Sequence, residues 1–341
     1  MGERLHMKYS NMKAMVCDSF GPIGQLRYTE HPIPAIQDSH VLIEVGAASV
    51  NFPDALMVQG LYQVKPPFPF VPGHELAGVV REIGAGVSRY QVGQRVVATP
   101  GVGAFAQFTL AHEDKVLPMP DSMSLVQGAS LTLVYGTTIH ALKNIAQLQE
   151  SETMLVLGAS GGVGLAAIQL GKLMGAKVIA AASSPEKLAA CQHHGADATI
   201  NYLTDDLRAL TKQFTQGKGV DVVYDAVGGH HTELALRSLA WRGRLLVVGF
   251  ASGIIPQIPL NLALLSERRI LGVYWGEWIK REPESHLRNM KFIMEHIEKG
   301  SLRTMINHHF PLDQSVQAIE LLASRQAIGK VVIDINPGLT P

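Results

Sequence analysis

Apolar positions along this chain follow two different rules. In the first third they fall in short β-rich runs, at 14–17, 41–45, 79–83, 95–98 and 107–110, separated by Gly and Pro. Prolines crowd residues 65–72, which excludes both a helix and a central strand there. This pattern predicts a small β-barrel or irregular sandwich. The middle third reads differently. Predominantly apolar strands at 154–158, 177–182, 220–225 and 245–249 alternate with helices at 163–174, 185–194 and 232–239. Strands without polar alternation, spaced by helices, predict a parallel sheet covered on both faces. Helices at 284–299 and 312–324 and a strand at 330–335 close the chain.

Composition sharpens this picture. The 341 residues carry 29 Lys+Arg and 29 Asp+Glu, so the net charge is zero with His neutral, and only 17% are charged. Length suggests two domains. Balanced charge without a basic run argues against nucleic-acid binding. Three stretches, 122–142, 153–171 and 245–266, lack Asp, Glu, Lys and Arg and approach the length of a membrane span. The last holds Pro256 and Pro259, the second several glycines, the first polar Ser, Thr, Gln and His. Prolines so placed would strip hydrogen bonds from a lipid-exposed helix. All three are expected to be buried parts of a protein that spans no membrane. Two cysteines, Cys17 and Cys191, support neither a disulfide framework nor a four-Cys zinc site. Residues 1–11 lack the apolar core of a signal peptide, and His6 stands where a myristoylation signal needs Ser or Thr. The segment before Met12 reads as an untidy leader, and the expected location is cytoplasmic.

The most informative segment is Leu155-Val-Leu-Gly158-Ala-Ser160-Gly161-Gly162-Val163-Gly164. Glycines at 158, 161 and 164 leave a predicted strand and enter a predicted helix. Such spacing permits a tight turn, lets backbone approach a pyrophosphate, and lets helix and strand pack closely. The helix N-terminus then offers free N–H groups to phosphates. The same letters also spell Gly-x-Ser-x-Gly, the nucleophile elbow of α/β-hydrolases. In that rival reading Asp225 is the acid, and His286, His296, His308 or His309 the base. Gly164, which an elbow does not need, favours the dinucleotide reading.

About 20 residues beyond such glycines, a carboxylate usually grips the ribose of NAD. Here the strand runs into Ala182-Ser183-Ser184-Pro-Glu-Lys187 without one. Two hydroxyls and a Lys suit a 2′-phosphate, and a charge-assisted bond of roughly 1.5–3 kcal/mol would favour NADPH. The plainer alternative is that Ser183 and Ser184 cap the next helix and Lys187 faces solvent. Gly73-His74-Glu75, with Asp54 nearby, invites a metal. However, no Cys lies between Cys17 and Cys191, and the His-Glu-x-x-His helix of zinc proteases is absent. No metal is expected.

Together, the β-rich first third, Gly73-His-Glu-Leu-Ala-Gly78-Val-Val, Val92-Gly93-Gln-Arg-Val96 and Gly158–Gly164 resemble the medium-chain dehydrogenase/reductase superfamily. Within it the chain is most similar to the zinc-independent NADPH:quinone oxidoreductases, from about Met12 to Ile335. Asn51-Phe-Pro-Asp54, running on to Gly60-Leu-Tyr62, stands where zinc alcohol dehydrogenases carry a ligand Cys. Their four-Cys structural-zinc lobe is absent, and His74 alone of their catalytic ligands remains. The resemblance implies an α/β fold with a GroES-like catalytic domain (12–128), a Rossmann NADPH-binding domain of doubly wound parallel sheet (129–275), and a return segment (276–341) completing the first. It also implies a homodimer joined through the apolar strand at 270–274. Ser160, Gly161, Gly162 and Val163 would meet the pyrophosphate; Ser183, Lys187 and Tyr202 the 2′-phosphate side. Thr137 would reach the nicotinamide, with Phe250 and Ser252 along the cofactor, and Asn51 and Tyr62 would face the substrate carbonyl. The implied reaction is hydride transfer to a quinone. Reduction of an enone or 2-alkenal, or NADPH binding without turnover, stand as alternatives.

Overall fold

The computed structural model describes residues 10–340, so the leader reading of 1–11 lies largely outside the described residues. Two compact units emerge. One runs up to Leu133 and resumes at Ile306; the other spans Val134–Met305.

In the first unit, β1 (Asn11–Val16) and β2 (Arg27–Pro32) form an antiparallel pair. The main sheet is built on β3 (His40–Val50), β4 (Glu75–Ile83), β5 (Arg95–Ala98), β6 (Phe108–His112) and β7 (Val116–Pro118). Helix α1 (Phe52–Val58) follows β3, and α2 (Leu125–Ala129) follows β7. Central β3 pairs antiparallel with β4 and β6, and its near-continuous burial matches a run in which Glu44 is the one acidic residue. At the end of the chain α11 (Ser315–Ala323) lies between β14 (Ile306–Pro311) and β15 (Lys330–Asp334). Strand β15 pairs antiparallel with β3, Val331 opposite Val50, and parallel with β14. The return segment therefore supplies two strands to a sheet whose central strand, ending at Val50, lies 280 residues before Lys330 in the sequence.

Helix α3 (Thr132–Ile139) leads into the second unit. There β8 (Thr153–Leu157), α4 (Gly162–Leu173), β9 (Lys177–Ala182), α5 (Pro185–His193), β10 (Ala198–Asn201) and α6 (Leu207–Phe214) make the first half. The second half is β11 (Val220–Asp225), α7 (His230–Arg237), β12 (Leu239–Val247), α8 (Asn261–Leu264) and β13 (Arg269–Gly272). All six strands are parallel, in the order β10-β9-β8-β11-β12-β13. This is the doubly wound arrangement, with its order reversing between β8 and β11.

Three features depart from the sequence reading. Strand β12 begins at Leu239 rather than 245, because a register shift against β11 accommodates residues 240–243 between the pairs Val220–Leu239 and Val222–Arg244. Residues 276–305, expected with the first unit, form α9 (Trp275–Arg281) and α10 (Pro283–Glu298) in the second. Trp275 fixes them there: its indole fills the space beside Gly136, where a Cβ would sit 3.0 Å away, and its ring meets His286 edge-on. Lastly, the stretch 245–266 is only half buried. Leu245 and Leu246 are enclosed, but Ile255 is 72% exposed and Leu260 77%, with Ile254, Leu264 and Leu265 also open. The missing charge there marks an apolar surface rather than core. Among the described residues no helix is long and apolar enough to cross a membrane.

Candidate active site

The turn after β8 takes its shape from two glycines. Gly158 has φ +67°, the left-handed region that favours glycine. At Gly164 a Cβ would stand 2.4 Å from the Gly158 carbonyl oxygen, so only a hydrogen lets α4 pack onto the turn. Ser160, Gly161, Gly162 and Val163 lie between, with Gly161 capping α4. The exposed N–H groups of that first helical turn form a cradle for an anion. Ser160 is absent from the residues of positive φ, so it lacks the strained backbone of a nucleophile elbow. The proposed acid of that rival reading is spent elsewhere. Asp225 accepts from the amides of Val227 (2.8 Å) and Gly228 (2.9 Å) and from the Thr232 hydroxyl (2.5 Å). Burial raises its pKa, against the lowering by those bonds.

The sequence marks Asp225 only as an acid, whereas these bonds make it an anchor for local backbone. It ties down the turn after β11, whose Val227 carbonyl receives the Ser252 amide (2.8 Å), and Ala226 that of Ala251 (3.1 Å). Gly228 and Gly229 have φ +73° and +65°, and a Cβ on Gly228 would lie 2.9 Å from the Phe250 ring. Phe250 and Ser252 are thus held against the loop beside the glycine turn. At the end of β9, Ser184 caps α5, its hydroxyl accepting from the Lys187 amide (3.3 Å). Ser183 does not cap; its hydroxyl accepts from the Lys187 ammonium (3.0 Å). The half-buried Tyr202 ring lies 4.5 Å from that of His231. Thr137 is half-buried on α3, next to Thr138, whose hydroxyl reaches the buried Tyr224 hydroxyl (3.0 Å).

In the first unit, sheet register assembles a buried polar group. Ser49 stands opposite Glu75 across β3 and β4, while β15 brings Lys330 beside the end of β3. The Lys330 ammonium donates to Asn51 Oδ1 (2.7 Å) and Glu75 Oε1 (2.9 Å). Asn51 Nδ2 donates to Glu75 Oε1 (2.9 Å), and the Leu133 amide to Glu75 Oε2 (2.8 Å). Asn51 and Lys330 are each 4% exposed and Glu75 1%. Asn51 is therefore a member of a charged network, which its own residue type does not announce. Both Nδ2 contacts to Ser49 are long, 3.3 Å, leaving the second amide hydrogen weakly held. Asp54, fully buried, accepts from the Asn51 amide (2.7 Å) and binds His74 Nδ1 (2.5 Å). The half-buried Tyr62 ring meets the His74 ring edge-on at 5.8 Å. Among the described residues, no three His, Cys, Asp or Glu side chains are grouped to hold a metal ion. In the sequence Glu75 stands out only as a candidate metal ligand beside His74, and Lys330 only as the first residue of a predicted strand.

Known proteins share this architecture. Residues 37–121 match the family model of the alcohol dehydrogenase GroES-like domain, and 162–291 that of the zinc-binding dehydrogenases. Quinone oxidoreductase-like protein 2 of Bos taurus is 35% identical over 328 residues, 96% of this chain and 93% of that protein. The quinone oxidoreductase of Pseudomonas aeruginosa is 34% identical, covering 92% of this chain and 97% of its own. Among solved structures, Escherichia coli quinone oxidoreductase complexed with NADPH superposes with a TM-score of 0.87 at 28% identity, over 95% of this chain and 99% of that one. A mycobacterial protein complexed with NADPH gives 0.89 at 29% identity, over 94% and 99%. With two-unit fold, glycine turn and full-length relatives in agreement, the chain belongs to the medium-chain dehydrogenase/reductase family of oxidoreductases.

Proposed function

We propose that this chain binds NADPH and reduces quinones in a reaction that needs no zinc. The observation that carries the reading is the Ser183–Lys187 pair, placed where β9 ends without a carboxylate, beside a turn that excludes a Cβ at Gly158 and Gly164. A lysine and hydroxyl suit a 2′-phosphate, whereas a ribose diol calls for an acceptor. When bound, NADPH supplies the hydride. Ser160, Gly161, Gly162 and Val163 would hold the pyrophosphate through backbone N–H groups; Ser183, Lys187 and Tyr202 the 2′-phosphate; Thr137 the nicotinamide end; and Phe250 with Ser252 the intervening length. Without a metal, charge developing on the substrate oxygen needs hydrogen-bond donors. The Tyr62 hydroxyl and the weakly held second hydrogen of Asn51 are the donors proposed, with Lys330 and Glu75 fixing the Asn51 amide.

Quinone as acceptor is supported by the names of the relatives and by nothing finer in this chain. The working form proposed is a homodimer in the cytoplasm. Among the described residues, edge strand β13 pairs only with β12, and open Leu260, Leu264 and Leu265 beside it give a partner an apolar surface to cover. The test follows NADPH oxidation with 1,4-quinones and 2-alkenals side by side, in wild type and Lys187→Glu. Faster quinone turnover, and a preference for NADPH over NADH abolished by the variant, is expected. Faster alkenal turnover would replace the acceptor, and an unchanged cofactor preference would remove Lys187 from the phosphate site.

A further inference from the structure

Strand β11 sends Tyr224 to one face of the parallel sheet and Asp225 to the other, because successive strand residues alternate. Asp225 holds the turn that receives the amides of Ala251 and Ser252. Tyr224 is wholly buried, and its hydroxyl lies 3.0 Å from that of Thr138 on α3. We propose that Tyr224 is a positioning residue of the cofactor site: through Thr138 it fixes the rotation of α3, and so directs Thr137 at the reduced nicotinamide. That role rests on NADPH binding as proposed above, with Thr137 at its nicotinamide end.

A count of hydrogens gives the bond its direction. Thr138 has one hydroxyl hydrogen and spends it on the Val134 carbonyl one turn back (2.7 Å), so Tyr224 is the donor between the two hydroxyls. Burial pushes the phenol pKa upward, which keeps that proton in place. The Thr138 oxygen also lies 3.4 Å from the carbonyl of Val163, in the first turn of α4. Stability does not call for such a pair. A buried hydroxyl is costly unless bonded, and two apolar groups of the same shape would fill a sheet core about as well. Val222 and Val223, equally buried on the same strand, do just that.

Helix α3 needs an outside anchor because the hydrogen-bond ladder changes step just beyond it. Residues His140–Ile145 form a π-helical segment, and the Ala146 amide bonds five residues back to the Ala141 carbonyl (2.8 Å). A regular helix continuing from Ile139 would hold α3 in register; this one does not. Successive helical residues are turned by about 100°, so a bond that fixes Thr138 also fixes the heading of half-buried Thr137. A misplacement of about 1 Å at the reacting end can cost about a hundredfold in rate. Affinity is less exposed to it, since the phosphates are gripped elsewhere, at the glycine turn.

Wild type is compared with Tyr224→Phe, Thr138→Ser and the double variant Thr138→Val/Tyr224→Phe by NADPH titration, quinone turnover and thermal unfolding. Tyr224→Phe is expected to bind NADPH within about threefold of wild type and to lose about tenfold or more in kcat. The fluorescence of its bound reduced nicotinamide should differ from that of wild type. Thr138→Ser keeps the hydroxyl and should keep kcat within about threefold. The double variant buries no unpaired hydroxyl, so it should unfold near the wild-type temperature yet stay as slow as Tyr224→Phe. Recovery of kcat along with stability would reduce the pair to a structural bond, and kcat and fluorescence unchanged in Tyr224→Phe would overturn the role. Should no acceptor be turned over, the fluorescence comparison decides alone. Failure of wild type to bind NADPH would remove the cofactor reading and this role with it, whereas binding and turnover indifferent to Tyr224→Phe would remove Tyr224 only.

Discussion

Replacing Lys330 by Met tests the buried network around Asn51. The ammonium is within 2.9 Å of a carboxylate that is itself 1% exposed. Removing one partner of such a pair typically costs about 3–5 kcal/mol, because the other charge stays buried without compensation. Glu75 keeps three donors, the Ser49 hydroxyl, Asn51 Nδ2 and the Leu133 amide, which places the expected loss near the lower end, about 3 kcal/mol. Glu75→Gln alone leaves the buried ammonium with neutral acceptors only, Asn51 Oδ1 and the introduced amide oxygen, and should cost a similar amount. The double variant buries no charge at this point, so it should lose less than the two singles combined, by about 2 kcal/mol or more. The probe matters. All three tryptophans, Trp241, Trp275 and Trp278, lie in the second unit, so their fluorescence is blind to unfolding confined to the first. Urea titration followed by hydrogen exchange of β3 and β4 peptides reads the right unit. A loss under about 1 kcal/mol for Lys330→Met, or singles that simply add, would refute the reasoning.

Three further outcomes are expected. Gly164→Ala puts a methyl 2.4 Å from the Gly158 carbonyl, so the cradle must open and NADPH affinity should fall at least about tenfold, measured by fluorescence titration; unchanged affinity would argue against the turn as the phosphate site. His286, among Trp275 and Trp278 with its Nδ1 unpartnered, has its pKa lowered by burial to about 4. Its unfolded form takes up a proton from pH ~6.5 downward while the folded form resists until about 4, so it removes roughly 2 kcal/mol of stability between pH 8 and pH 5. Tryptophan-detected unfolding should show that acid slope flatten in His286→Phe, and an identical slope would sink the assignment. Leu264→Asp should convert the proposed dimer to monomer by light scattering; a wild-type monomer would remove the proposal altogether.

The sequence by itself determined the layers of this protein and the place of its phosphate turn. Strands β5, β9 and β11 fall on the residues expected from their apolar runs, because burial on both faces removes polar residues whatever the partners are. The glycines of the turn are equally legible, since the backbone φ at 158 and the space at 164 tolerate no other side chain well. Low charge alone could not say which apolar stretch is core and which is surface: 153–171 is largely enclosed, while much of 245–266 lies open. Short β10 and β14 escaped for a related reason, as partly exposed strands keep mixed residues. Only tertiary structure decided the surroundings of Asn51. Its partners Glu75 and Lys330 come from strands 24 and 279 positions away, brought together by the pairing of β15 and β4 with β3. Register across a sheet is a property of pairing, and a local run of residues does not encode which distant charge will lie opposite.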